Sequence, residues 1–215
     1  ADAARTLELA LDHCPRAADY AMTHYCLGYW YQTIGQFVEA EMAYGRAAAC
    51  RVDAVFPSRL EELDVLDAAV ARHPKDANAR YLLGTLLAAL GGHKEAMAEW
   101  RAAAGLKAER AVLYRNLGYG AAHWENATGA AVALYRRAIQ IQPNEYRYYL
   151  ELGRVVNPAP GSAGAGRREH GGGASAELAL LEAAPPVVRD RWQIAARQAE
   201  LLATTGRYDD ALALL

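Results

Sequence analysis

The chain has 215 residues, 53% of them hydrophobic and 9% aromatic, and a formal net charge of −2. That composition belongs to a folded chain with a sizeable core and excludes a disordered one. Its apolar stretches are short and broken by Arg, Glu or His, which excludes a membrane-spanning helix, and the lack of a basic excess argues against nucleic acid as a partner.

The first segment, 1–15, contains ARTLELALDHCP, with Ala3, Leu7 and Ala10 at helical spacing and Pro15 as a stop. It reads as the second helix of a pair that starts upstream. The next unit, 20–52, is a helix, a TIGQF turn and a second helix; Gly35 supplies the left-handed residue that a helix C-terminus favours. Residues 57–73, in SRLEELDVLDAAVARHP, form an extra helix with Ser58 as its N-cap and Pro74 as its stop, and regularity breaks around 51–57.

Helix pairs follow at 77–108 and 111–143, the second with an extra residue in its turn at 126–129 and Pro143 as its stop. A fourth unit, 146–186, is interrupted by NPAPGSAGAGRREHGGG at 157–173, whose Gly, Pro and Ser content predicts a mobile loop. Helices resume near Ala174 and again after Pro185-Pro186. The last unit, 187–215, ends within a helical pattern, and Leu212, Leu214 and Leu215 give it no polar capping face. With Ala in place of an initial Met, this predicts a piece of a larger protein whose ends are able to self-associate. No strand-like alternation runs through any long window, so the expected class is all-α.

These units are copies of one another. Leu27-Gly28, Leu83-Gly84, Leu117-Gly118 and Leu152-Gly153 head them; Ala40, Ala96 and Ala131 follow the first three pairs, each four residues ahead of Tyr44, Trp100 or Tyr135. Gly and Ala let two helix backbones approach, and the large residue fills the space between them. The pattern resembles the tetratricopeptide repeat (TPR), a 34-residue helix–turn–helix unit with L-G-x-x-Y…A-x-x-x-F…P spacing. The resemblance implies an irregular α-solenoid of stacked antiparallel helix pairs, 1–215 forming a single array with one inserted helix.

It also implies a binding surface, since in TPR proteins the first helices of successive repeats line a concave groove. The positions flanking each core pair are Tyr25, Tyr29 and Gln32, then Asn78, Tyr81 and Thr85. Next come Arg115, Asn116 and Tyr119 with His123, and finally Arg147 and Arg154. Tyr gives large contact area at low entropic cost, and Arg binds carboxylates in a bidentate manner. The two-carboxylate clamp of co-chaperone TPR domains is absent, because the matching positions hold Tyr25, Tyr29, Leu82, Val112 and Asn116.

Chemistry of other kinds leaves no mark. The phosphate-loop, dinucleotide, zinc-protease and serine-hydrolase motifs are all missing, and none of the six histidines pairs with a second ligand at helical spacing. No cofactor and no metal are expected. Glu61, Glu62, Asp64 and Asp67 read as a solvated helix face. Cys14, Cys26 and Cys50 read as buried free thiols of a reducing bacterial cytoplasm.

The expected function is a non-catalytic scaffold binding a protein, a peptide or another domain of the parent chain. The alternative is an accessory region of a bacterial carbohydrate-active enzyme. That reading follows from a likeness of AVFPSRLEELDVL and the ending LLATTGRYDDALALL to the C-terminal TPR part of large bacterial proteins with a mutarotase-like domain.

Overall fold

The computed structural model describes residues 2–106, 108–158 and 172–214. Fourteen helices and no strand occur among them, so the all-α expectation holds. The chain divides into two compact units, Ala1–Ala108 and Glu109–Leu215. The first holds α1 (Asp2–His13), α2 (Pro15–Ala18), α3 (Ala21–Thr33), α4 (Phe37–Ala49), α5 (Glu61–Arg72), α6 (Ala77–Ala89) and α7 (His93–Gly105). The second holds α8 (Ala111–His123), α9 (Thr128–Ile141), α10 (Tyr146–Val156), α11 (Gly172–Glu182), α12 (Pro186–Arg189), α13 (Trp192–Thr204) and α14 (Tyr208–Leu212).

Helices pair as the repeat requires: α3 with α4, α6 with α7, α8 with α9 and α10 with α11. Each pair closes on its Leu-Gly glycine. A Cβ on Gly28 would lie 2.7 Å from the Tyr44 ring, one on Gly84 2.6 Å from Trp100, and one on Gly118 2.9 Å from Tyr135. Real Cβ atoms do not come so close, so only glycine admits the ring. Tyr44 and Tyr135 are 1% exposed and Trp100 is 3%. Burial pushes the Tyr44 hydroxyl up to about 12, and its proton goes to Gln32 Oε1 at 3.2 Å.

Turns and stops follow local chemistry. Gly35 and Gly206 have φ of +79° and +82°, as TIGQF and TTGRY lead one to expect, and Gly91 does the same at +86°. The lengthened third turn uses Asn126 at φ 53°, a residue type that tolerates this region. Pro74 and Pro143 follow the ends of α5 and α9. Pro15 differs: α1 has already ended at His13, and Pro15 opens the short α2, where its missing N–H costs nothing.

Several sequence expectations are corrected. In α1 the buried small residue is Ala4, which packs with Leu27 and Ala43, not Ala3. Ser58 does not cap α5 with its side chain. Instead Glu62 Oε2 accepts the backbone N–H groups of Ser58 and Arg59 at 2.8 and 2.9 Å, a carboxylate reaching back over a helix start. Cys14 is exposed at the break between α1 and α2, and Cys26 and Cys50 are only half-buried. Most of the expected loop, 159–171, lies outside the described residues, but Gly172 and Gly173 already belong to α11.

Gly173 is in the helix for a reason. It takes the small-residue position of its pair, where a Cβ would meet Asn157 Oδ1 at 2.7 Å. Four residues on, Glu177 takes the place of the ring, 2.7 Å from a Cβ on Gly153. Glu177 is fully buried. Its charge is answered by Arg197 of α13, which donates from Nε and Nη2 at 2.8 Å each, and by Asn157 Nδ2 at 2.8 Å. The core around them joins Leu178 and Leu181 of α11 to Ile194, Leu201 and Leu202 of α13.

Gly84→Ala should therefore lower stability by about 1–3 kcal/mol, the cost of overpacking a filled core. Gly45→Ala in α4, where nothing lies within 4 Å of the new atom, should raise it by about 0.4–1 kcal/mol. Urea unfolding followed by circular dichroism measures both. Equal effects would mean that the glycine–ring contact does not set the pairing.

Candidate functional site

The positions drawn from the repeat spacing split between the units, and the structure gives them different roles. In the first unit, Tyr25 and Tyr81 are 0% exposed and Asn78 is 3%. They leave no surface for a partner. Tyr25 donates its hydroxyl to Asp76 Oδ2 at 2.9 Å, which ties α3 to the residue that N-caps α6. Asn78 Nδ2 donates to the carbonyls of Ala48 and Cys50 at 2.9 Å and of Ala47 at 3.4 Å. Those are carbonyls at the end of α4, which a helix leaves unsatisfied. Tyr25 and Asn78 thus hold helix ends together, and Tyr81 is fully buried.

The inserted helix α5 packs against both α3 and α6, and its Val65, Leu66 and Ala69 are buried. The remaining positions stay half-buried: Tyr29 meets Trp30 edge-on at 5.7 Å, and Gln32 accepts from Tyr44. Thr85 bonds back to Tyr81 O at 2.9 Å and accepts from Trp100 Nε1 at 3.4 Å.

In the second unit the same spacing marks surface. Arg115 of α8 reaches across to α10 and grips Glu151 with two hydrogen bonds, Nε to Oε2 at 2.7 Å and Nη2 to Oε1 at 2.8 Å. These bonds raise the Arg115 pKa further, against the opposing effect of burial. Burial raises that of Tyr135, with the Glu151 charge adding to it. Arg115 also donates from Nη1 to Asn116 Oδ1 at 3.2 Å and lies 5.4 Å from the Tyr119 ring centre.

Tyr119 is 38% exposed. Its ring meets His123 at 4.3 Å and Trp124 at 5.7 Å. Arg115, Tyr119 and His123 recur every fourth residue on one face of α8. Arg147, Glu151 and Arg154 lie on one face of α10, at i, i+4 and i+7. Arg147 and Arg154 are exposed. Arg147 stands 3.7 Å from Glu145 and 5.9 Å from the Tyr146 ring centre.

The two helices thus form one face with a polar bridge at its middle, an aromatic cluster on α8 and exposed arginines on α10. No nucleophile–base pair lies on it. Among the described residues, no group of three or more His, Cys, Asp or Glu stands close enough to hold a metal ion. No described helix is long and apolar enough to cross a membrane. Sequence reasoning missed Glu151, although its place midway between Arg147 and Arg154 on α10 was a usable signal.

Asn78→Ala should cost about 1–3 kcal/mol, since carbonyls at the end of α4 lose a buried donor. Thermal unfolding checks this. A loss below about 0.5 kcal/mol, the range of surface substitutions, would return Asn78 to the list of surface candidates.

No protein-family profile and no curated protein sequence matches the chain. Solved structures do. YrrB, described as a TPR protein with an unusual peptide-binding site, is similar over 99% of this chain and 90% of its own, at 16% identity and a TM-score of 0.55. MamA of Desulfovibrio magneticus is similar over 87% of this chain and 90% of its own, at 13% identity and a TM-score of 0.55. PilF of Pseudomonas aeruginosa covers 97% of this chain and 78% of its own, at 16% identity and a TM-score of 0.51. At such identities the likeness is one of fold, and the fold is that of the tetratricopeptide repeat.

Proposed function

We propose that the chain is a protein-interaction module, and that a protein or peptide partner docks on the α8/α10 face of the second unit. The observation that carries this reading is the Arg115–Glu151 bridge. A bidentate pair, a third of the arginine side chain still exposed, fixes two neighbouring helices and holds Asn116 and Tyr119 in place before any partner arrives. Pre-organised aromatic and arginine side chains are the types that carry binding energy at protein interfaces. The fold supports the same reading, since YrrB is described as having a peptide-binding site.

The candidate positions of the first unit contribute less. Tyr25, Asn78 and Tyr81 are internal, and Gln32 and Thr85 are engaged with Tyr44 and Trp100. Of the candidate positions in the first unit, only Tyr29 is neither fully buried nor engaged in this way, beside the exposed Trp30.

Three proteins purified in parallel test the proposal: the unaltered chain, Tyr119→Ala/His123→Ala, and Tyr29→Ala/Gln32→Ala. Each would be used to capture partners from a bacterial lysate for quantitative mass spectrometry. The expected outcome is a partner held by the unaltered chain, kept by the first-unit variant and reduced at least tenfold by the α8 variant, about 1.4 kcal/mol for a hot-spot aromatic. Loss in the first-unit variant alone would move the site to α3.

A further inference from the structure

We propose that the partner element received by the α10 side of this face is a helix bearing two acidic side chains seven residues apart. This rests on the docking face proposed above and gives the chemistry of its partner. Three observations carry it.

The first is charge. Glu151, the carboxylate that would neutralise the α10 stripe, is taken up by Arg115. Arg147 and Arg154 flank it on the same stripe and are exposed, Arg147 with 70% of its side chain in solvent. Glu145 accepts the Arg147 backbone N–H at 3.3 Å as the N-cap of α10. It stands 3.7 Å from the guanidinium, a solvent-exposed contact of little strength. The stripe therefore shows two cations with a neutral pair between them, and a complementary surface is acidic at both ends.

The second is spacing. Seven residues of α-helix separate Arg147 from Arg154, about 10.5 Å along the axis. A partner helix alongside α10 matches that distance with acids at i and i+7 on one face. An extended peptide does not, because its same-side residues recur at about 6.7 and 13 Å. The third is the middle of the stripe. The neutral Arg115–Glu151 pair asks for an uncharged partner residue at i+3 or i+4, and Tyr119 beside it favours an apolar one. This chemistry differs from capture of a chain-end carboxylate, for which the clamp residues are absent.

The test uses the full chain and three fluorescein-labelled, alanine-rich helical peptides of equal length with a central Leu. One carries Glu at i and i+7, one Glu at i and i+4, and one Lys at i and i+7. Fluorescence anisotropy at low salt should show the first binding about fivefold tighter than the second, as expected for two exposed ion pairs. The Lys peptide should bind weakest. The preference should vanish at about 0.5 M salt and in Arg147→Glu/Arg154→Glu, whose circular dichroism should be unchanged.

Equal binding of the two Glu peptides, stronger binding of the Lys peptide, or no binding of any would overturn the inference. Tyr119→Ala separates this from the docking face itself. If a peptide of the wrong charge or spacing binds the unaltered chain and is lost in Tyr119→Ala, the face binds partners of other chemistry. Binding unaffected by either variant would place the peptide elsewhere and count against both.

Discussion

The contact between a glycine backbone and one large side chain of the following helix governs this structure. Gly28, Gly84 and Gly118 each admit a ring that a methyl group would collide with, and the ring in turn fixes how closely the two helices of a pair approach. In a core packed as densely as a crystal, such a contact sets crossing geometry for every residue around it. The fourth pair shows how strong the constraint is. Its ring is replaced by Glu177, which is fully buried, and an unpaired carboxylate there would be costly. Arg197 and Asn157 are the consequence: they supply three hydrogen bonds to that one carboxylate. A breach of the repeat rule at one position thus dictates residues on two other segments.

The two units use equivalent repeat positions differently. In the first unit Tyr25 and Asn78 are buried, and their polar atoms hold helix ends together. In the second unit α8 and α10 are joined by a polar bridge, so their outer faces keep Tyr119, Arg147 and Arg154 in solvent. Identical repeat positions therefore carry structure in one unit and a candidate interface in the other.

Much of the fold was legible in the sequence. Leu-Gly pairs, the Ala-x-x-x-aromatic offset and the glycines at Gly35 and Gly206 each report a local steric demand, and the structure meets each one. What spacing reports is the side of a helix on which a residue sits, not what packs there. That is why Tyr25, Asn78 and Tyr81 read as groove residues: nothing local to them reveals that they are buried. Glu177 was hidden for a different reason. It keeps the four-residue offset from a small residue, Gly173, but it is acidic, and the segment at 157–173 separates it from Leu152-Gly153 by more than a normal turn. Its partner Arg197 lies twenty residues further on, a pairing that only tertiary structure makes visible. At α5, Ser58 offered the expected cap, yet Glu62 won because a carboxylate can accept two N–H groups at once.

Whether partners meet the α8/α10 face is tested by a photoreactive phenylalanine analogue placed singly at 119 or at 29. Irradiation of intact cells making each version traps whatever touches that position. A discrete covalent adduct from position 119, with little or none from position 29, is the expected result. An adduct from position 29 alone would rule out the α8/α10 face and put the functional surface on the first unit.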